Sequence, residues 1–137
     1  MEYMYNKKVM NHFLKPHNQG RLKNPDGVGE VGNPKCGDIM KIYIKVKKDK
    51  NKEILSNIKF ETLGCASAIA NSSALTKMVK GKEIDKALKV THDDIIKKEL
   101  GGEIPKIKIH CSFLAREALK EAVKDYQNKK KQKTKKK

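Results

Sequence analysis

The sequence predicts a single α+β domain, in which a small three-stranded antiparallel sheet carries helices packed on one face. Alternating apolar residues indicate strands in the first half of the chain, and apolar residues at helical spacing indicate helices in the second half. Strands followed by helices are typical of an α+β domain. A chain of 137 residues is long enough for one buried core. We assign residues 1–128 to this domain and residues 129–137 to a disordered, lysine-rich tail.

Three strands are predicted. A turn signal at Asn24–Gly27 precedes a short edge strand over residues 27–32, which is interrupted by glycines. The clearest strand follows, with one face formed by Met40, Ile42, Ile44 and Val46. After a polar turn over residues 48–52 comes another alternating strand, with one face formed by Ile54, Ile58, Phe60 and Thr62. The short polar connection predicts that these two longer strands form an antiparallel hairpin.

The helices lie around and after this sheet. A short helix is predicted over residues 3–14, and a second begins after Gly64, where small residues recur at helical spacing until Gly81. One or two helical turns are expected over residues 84–88. Thr91 and Asp94 resemble a capping box, and Gly101 closes the helix that they start. The last helix is predicted over residues 112–128, after an extended loop that contains Pro105.

The chain is strongly basic, with a formal net charge of +16. Such a charge suggests a nucleic acid or an anionic membrane as a partner. However, many lysines of the folded part alternate with acidic residues, and the chain has no tryptophan and few other aromatic residues on which bases would stack. Nucleic acid is therefore not expected as the main partner. No signal peptide and no apolar run of about 18 residues is present, so we expect a cytoplasmic protein without membrane contact.

The three cysteines are predicted at the ends of secondary-structure elements. Cys36 precedes the first long strand, Cys65 follows the second, and Cys111 starts the last helix. Because the strands are antiparallel, their outer ends meet, and Cys36, Asp38 and Cys65 become neighbours. Disulfides are disfavoured in a reducing cytoplasm, so metal binding or sulfur chemistry is the better explanation for an odd number of cysteines.

The predicted helix starts favour reactive thiolates at Cys65 and Cys111, because unpaired N–H groups and the helix dipole stabilise negative charge there. With Asp38 and His110, the set offers three sulfurs, one nitrogen and one oxygen, which suit a zinc ion or a small iron–sulfur cluster. The alternative is that the cysteines are small buried hydrophobic residues. The other three histidines, His12, His17 and His92, are interpreted as ordinary surface residues.

Three motifs resemble those of a known family. They are Val31–Asp38, Gly64–Ala70 and Lys108–Ser112, and with the first helix they extend the likeness over residues 3–127. They resemble the ligand-bearing motifs of U-type iron–sulfur cluster scaffolds, the IscU family and the N-terminal domain of NifU. The resemblance implies a non-enzymatic scaffold that receives persulfide sulfur from a cysteine desulfurase, together with iron. It implies that a labile [2Fe–2S] cluster is assembled and passed to apo-proteins, with a ferredoxin-type protein as electron donor.

The resemblance also implies roles for individual residues. Cys36, Cys65 and Cys111 would be cluster ligands, Asp38 and His110 ligands or exchange positions, and Cys111 the persulfide acceptor. One departure concerns the loop before His110, where Lys106 replaces the second proline of the motif that an Hsp70-type chaperone reads. Recognition by such a chaperone is therefore not a firm expectation. A SufU-type insertion before Cys111 is absent from the sequence.

Three hypotheses follow for the function. The first is the cluster scaffold, and the second is a zinc-dependent sulfur-transfer partner of a cysteine desulfurase, with Zn²⁺ held by the same residues. The third is a basic nucleic-acid-binding module whose cysteines are structural.

Overall fold

A computed structural model describes residues 7–33, 38–63, 66–101 and 110–135. The elements follow one another as α1 (Lys7–Leu14), β1 (Gly27–Asn33), β2 (Asp38–Asp49), β3 (Lys52–Leu63), α2 (Ala66–Val79), α3 (Ile84–Ala87), α4 (His92–Glu99) and α5 (His110–Lys135). The predicted α+β fold is confirmed. The extended loop predicted before the last helix lies outside the described residues, as does the start predicted for the first helix.

The sheet has three antiparallel strands in the order β1-β2-β3. The alternation predicted for β2 is confirmed, because Met40, Ile42 and Ile44 are buried in the core. Tyr43, on the other face, is also buried, and its hydroxyl donates to Glu61 of β3 at 2.5 Å. The hairpin between β2 and β3 turns through Lys50 and Asn51, which both have positive φ, as a two-residue hairpin turn requires.

A register irregularity between Lys45 and Val46 corrects one detail of the predicted pattern. Asn57 pairs with Lys45, whereas Leu55 pairs with Val46, so Ser56 is an extra residue in β3. Since one extra residue exchanges the two faces of a strand, Leu55 is fully buried where the alternation had predicted Ile54.

Helix α5 packs directly against β1. A Cβ atom built at Gly27 would lie 2.2 Å from the carbonyl oxygen of Ala122, and one at Gly29 would lie 2.2 Å from that of Ala118. Real Cβ atoms do not approach backbone atoms so closely, so the helix reaches this depth only because both strand residues are glycines. The glycines that interrupt the predicted edge strand thus serve helix packing.

Helix α2 lies between the sheet and the remaining helices. Small residues predominate in it, and the side chains of Ala70–Thr76 are buried over two successive turns, as their spacing had suggested. Helix α4 begins with the predicted capping box, in which Thr91 accepts from the Asp94 amide and Asp94 accepts from the Thr91 amide. These reciprocal bonds satisfy two amides at the helix start.

Helix α5 continues to Lys135, seven residues beyond the end predicted at residue 128. Residues 129–135 are therefore helical, where the composition had predicted disorder. Two contacts accompany the first residues of the extension: Lys129 pairs with Asp125 one turn earlier at 3.2 Å, and Lys130 pairs with Glu53 of β3 at 3.0 Å. The separation of residues 1–128 from the tail as a folding unit stays a prediction.

Candidate functional site

One edge of the sheet gathers the chain segments that carry the predicted ligands. Asn33, the last residue of β1, pairs with Asp38, the first residue of β2. The next residue, Ile39, pairs with Leu63, the last residue of β3. Two links therefore meet at this edge, the four residues between β1 and β2 and the two residues between β3 and α2. We call it the motif edge.

The start of α5 lies at the same edge. Gly27 faces Ala122 and Tyr126, whereas Gly29 faces Ala118 and Ala122, so α5 runs antiparallel to β1. Two strand residues advance about 6.6 Å, which corresponds to about four helical residues at 1.5 Å each. Continuing this register from Gly29 to Asn33 brings the first turn of α5 level with the motif edge.

The predicted site residues differ in how far the structure describes them. Asp38 is the first residue of β2, and His110 and Cys111 are the first two residues of α5, with their backbone described and their side chains not. Cys36 and Cys65 lie outside the described residues. The structure therefore brings together the backbone flanks of all three motifs, and the ligand set itself stays a prediction. Among the side chains that the structure describes, no three His, Cys, Asp or Glu residues form a group that would hold a metal.

The predicted helix starts are consistent with reactive sulfur. Cys111 is the second residue of α5, and α2 begins at Ala66, directly after Cys65 in the sequence. The first turn of a helix has unpaired amides and the positive end of the dipole, which favour a thiolate over a thiol. A thiolate binds soft metals and attacks sulfane sulfur, so Cys111 occupies a favourable position for both.

An apolar surface borders the motif edge. Ile39 and Leu63, the paired strand residues, are 40% and 73% exposed, and Phe113 in the first turn of α5 is 44% exposed. The only other large apolar side chain exposed to this degree in the described parts is Leu14. Exposed large apolar residues that cluster beside a site are typical of a surface that binds a partner.

A second polar cluster surrounds His12, which the sequence analysis had interpreted as an ordinary surface residue. The structure corrects this, because His12 is only 7% exposed. Its Nδ1 lies 2.7 Å from the hydroxyl oxygen of Ser73, and its Nε2 lies 3.2 Å from a carboxylate oxygen of Glu99. The backbone N–H of His17 donates to the same Ser73 oxygen at 2.8 Å. His17 is exposed as predicted, and the side chain of His92 is not described.

These contacts define the protonation of His12. The ionised Glu99 carboxylate can only accept, so His12 donates to it from Nε2, and in the neutral imidazole Nδ1 then accepts from the Ser73 hydroxyl. Burial lowers the pKa of His12 below 6.5 in spite of the Glu99 contact, which favours this neutral form. Although burial opposes it, hydrogen bonds from Lys77 and His12 lower the pKa of Glu99. The cluster therefore joins α1 to α2 and α4 through a neutral imidazole. His12 and Ser73 are 61 residues apart, so no local sequence pattern predicts this cluster.

A cleft of about 680 Å³ lies beside this cluster, between α1 and the residues that end α2 and α4. Its lining includes Lys8, Lys15, Lys77 and Lys98 together with His12 and Glu99. Glu99 already pairs with Lys77 at 3.0 Å and with His12. The carboxylate is thus used to hold the helices together, and the cleft has no feature of the predicted ligand set.

Comparison with known proteins confirms the family resemblance. The family described as the NifU-like N-terminal domain matches residues 4–133. The chain is 54% identical over 123 residues to an iron–sulfur cluster assembly scaffold protein, IscU 1, of Archaeoglobus fulgidus, covering 90% of this chain and 76% of the relative. It is 46% identical over 128 residues to the scaffold protein IscU of Escherichia coli, covering 91% and 95%. The chain therefore belongs to the NifU-like N-terminal domain family.

Solved structures agree on the fold. A SufU-type protein of Fervidobacterium islandicum, described as a putative assembly scaffold, superposes with a TM-score of 0.69 at 23% identity over 87% of this chain and 96% of its own. The N-terminal part of a NifU-like protein of Brucella abortus gives 0.66 at 20% identity over 92% and 96%. Within the residues described here, none of the helices is long and apolar enough to cross a membrane.

Proposed function

We propose that this chain is a scaffold on which a [2Fe–2S] cluster is assembled at the motif edge and then transferred to apo-proteins. The observation that carries the proposal is the meeting of the three motif flanks at one edge, through the Asn33–Asp38 and Ile39–Leu63 pairs and the start of α5. Close relatives named as scaffold proteins support it. The proposed ligands are Cys36, Asp38, Cys65, His110 and Cys111.

Sulfur enters the site at Cys111 in this proposal. The Cys111 thiolate attacks the terminal sulfur of a persulfide on a cysteine desulfurase, a new S–S bond forms, and the desulfurase cysteine leaves as a thiolate. Two electrons from a ferredoxin-type donor then reduce the transferred sulfur to sulfide and restore the Cys111 thiolate. The position of Cys111 in the first turn of α5 supports the thiolate that the first step needs. The exposed Ile39, Leu63 and Phe113 provide an apolar docking surface for the desulfurase.

The test is anaerobic reconstitution with iron, cysteine and a cysteine desulfurase, followed by visible absorption. Thiolates supply most of the affinity for iron, so Cys36→Ser, Cys65→Ser and Cys111→Ser are each expected to abolish or greatly reduce the cluster spectrum. Ser56→Ala, an exposed change in β3, is the control and should leave it intact. A normal cluster in two of the three cysteine variants would overturn the shared site.

The same experiment separates the alternative, a zinc-dependent sulfur-transfer partner. The same thiolates and imidazole suit a tetrahedral Zn²⁺, so zinc uptake by the apo-protein is expected under both hypotheses. Under the alternative, the metal stays bound while a cysteine passes persulfide on, and no [2Fe–2S] spectrum develops. Under our proposal, iron and sulfide replace the zinc.

Asp38 is proposed to make the cluster releasable. A carboxylate is a harder ligand than a thiolate, so a site of cysteines alone would hold the cluster more firmly. In Asp38→Ala, the cluster is expected to assemble, to survive longer in air and to transfer several-fold more slowly to an apo-ferredoxin. Asp49→Ala is the matched control, because it makes the same chemical change at the opposite end of β2. A cluster lost faster from Asp38→Ala than from the parent would make Asp38 a holding ligand.

A further inference from the structure

Two lysine-rich segments that are far apart in the sequence meet at the end of the molecule opposite the motif edge. One is the β2–β3 hairpin, with Lys50 in its turn and Lys47, Lys48 and Lys52 beside it. The other is the last part of α5, with Lys129, Lys130 and Lys131. We call these seven lysines the basic end. The sequence shows the second run only as a tail, and the fold places it beside the hairpin.

Contacts through Glu53 fix this arrangement. Its carboxylate accepts from the Tyr126 hydroxyl and from Lys130, the latter at 3.0 Å. In the strand register, residue 53 lies opposite Lys48 of β2. The hydrogen bond from Tyr126 is the main cause that lowers the pKa of Glu53, so the carboxylate stays charged. The Glu53 carboxylate of the hairpin thus holds the end of α5 beside it. Lys52 and Lys129 form ion pairs with Glu83 and Asp125, whereas Lys47, Lys48, Lys50 and Lys131 are exposed to solvent.

The chemistry of the basic end favours one class of partner. None of the large exposed apolar residues in the described ranges lies in the hairpin turn or beyond Tyr126. Protein interfaces are depleted in lysine and enriched in aromatic residues, and membrane-binding helices need an apolar face. Lysine side chains without exposed apolar neighbours suit phosphate groups, because contacts between ammonium groups and phosphates depend on charge and need no complementary apolar surface. The absence of exposed aromatic residues there disfavours single strands, whose bases need stacking.

We propose that the basic end binds the phosphate backbone of double-stranded nucleic acid, without sequence specificity. This is a second interaction surface, and it does not depend on the proposed cluster chemistry. Strand β2 has its first residue at the motif edge and its twelfth at the hairpin turn. At about 3.3 Å per residue, the two surfaces lie about 36 Å apart. A bound duplex would therefore leave the motif edge open to protein partners.

Fluorescence anisotropy with labelled 20-base-pair duplexes of DNA and of RNA tests the proposal, over about 50–200 mM salt. Two variants each remove two charges from one segment: Lys47→Gln/Lys50→Gln in the hairpin and Lys129→Gln/Lys131→Gln in the helix. A matched control, Lys7→Gln/Lys15→Gln, removes two exposed charges, one at the first residue of α1 and one directly after its last residue, and is called the α1 variant. Circular dichroism melts show that each variant is folded.

The parent is expected to bind both duplexes, with an affinity that falls steeply as salt rises. Each basic-end variant should bind about tenfold more weakly at 100 mM salt. The slope of log affinity against log salt concentration should become smaller by up to about two, because up to two fewer counterions are released. The α1 variant should keep the parent slope, and cluster reconstitution should be unchanged in both basic-end variants.

Several results would overturn the proposal. One is the absence of duplex binding at about 50 mM salt. Another is an equal loss of affinity in the α1 variant, which would make net charge the only cause. A loss of affinity confined to the helix variant would exclude the hairpin from the surface. Tighter binding to poly-glutamate or to vesicles of anionic lipid than to either duplex would assign the surface to an acidic protein or to a membrane instead.

Discussion

Helices α1 and α5 are joined to the same core by opposite means. Helix α5 meets β1 through backbone atoms, since Gly27 and Gly29 let the carbonyl oxygens of Ala122 and Ala118 approach the strand. Helix α1 meets α2 and α4 through side-chain hydrogen bonds from the buried His12 to Ser73 and Glu99. The glycine contact depends on shape, although Asp125 of α5 also accepts from the Val28 N–H of β1 at 2.9 Å. The contact of α1 depends on a titratable group.

The difference indicates how each helix responds to its surroundings. Close backbone packing has no protonation state, so the position of α5, and with it His110 and Cys111, is insensitive to pH through this contact. Burial disfavours the protonated form of the imidazole. Protonation of His12 at low pH therefore weakens the contact of α1 with α2 and α4. The core therefore positions one predicted ligand motif by a rigid contact, while α1 is attached by a contact that acid loosens.

The largest effect is expected where the shape-dependent contact is broken. In Gly29→Ala, the new Cβ would lie 2.2 Å from the Ala118 oxygen and 2.3 Å from the Ala122 nitrogen. These are backbone atoms that no rotamer change moves, so α5 must shift, at a cost of about 3 kcal/mol in the free energy of unfolding. Denaturant titration measures the loss.

Gly81→Ala is the matched control, because it makes the same chemical change at a position with nothing within 4 Å. Its φ of +85° is strained for alanine, so a loss of about 1 kcal/mol is expected. Equal losses in the two variants would show that α5 yields easily, and the contrast between the two helices would fail.

The sequence predicts the parts of this fold that depend on local pattern. Alternation along β2, the capping box at Thr91 and Asp94, and the hairpin turn are each encoded by neighbouring residues. The glycines of β1 were recognised as interruptions, but their partner α5 begins about 80 residues later, so the tight contact was not predictable. The extra residue at Ser56 escaped for a different reason, because a bulge changes register without changing composition.

The site shows the same division. Antiparallel pairing alone predicted that the flanks of Cys36 and Cys65 meet, and the Asn33–Asp38 and Ile39–Leu63 pairs agree. That the first turn of α5 joins them depends on the packing of α5 against Gly27 and Gly29, which only the tertiary structure gives. The burial of His12 was missed because its partners, Ser73 and Glu99, are distant in sequence and individually ordinary.

An intermediate effect is expected where the titratable contact is removed. His12→Asn should lose on the order of 2 kcal/mol in the free energy of unfolding, since Ser73 and Glu99 lose a buried partner. The pH dependence should change as well. The folded pKa of His12 lies below its unfolded value of 6.5, so the unfolded chain binds the proton more readily. The parent should therefore lose stability as pH falls below about 6.5, until the folded pKa is reached.

Melting temperatures between about pH 5.5 and 8 check this, and His12→Asn should show a flatter profile than the parent. His17→Asn is the comparison, because the exposed His17 ring lies 5.4 Å from the His12 ring and its charge is a minor cause of the lowered His12 pKa. It should keep most of the parent's pH dependence, since burial, the largest cause of the lowered pKa of His12, is unchanged. A steep profile that survives in His12→Asn would assign the acid sensitivity to another group.

The smallest effect is expected at the end of α5, where neither kind of buried contact is present. Deleting residues 129–137 removes the Lys129–Asp125 and Lys130–Glu53 ion pairs, in which both lysines are about half exposed. Exposed pairs contribute little because water and salt screen them, so the melting temperature should change by no more than about 3 °C and cluster reconstitution should be unaffected. Tyr126→Phe in the full chain provides the comparison, since it removes the hydroxyl that donates to Glu53 and keeps the Cβ that lies beside Gly27. It should destabilise the protein more than the deletion does, because Tyr126 lies in the part of α5 that packs on the sheet. A larger loss on deletion than in Tyr126→Phe would show that the lysine-rich turns are part of the folded core.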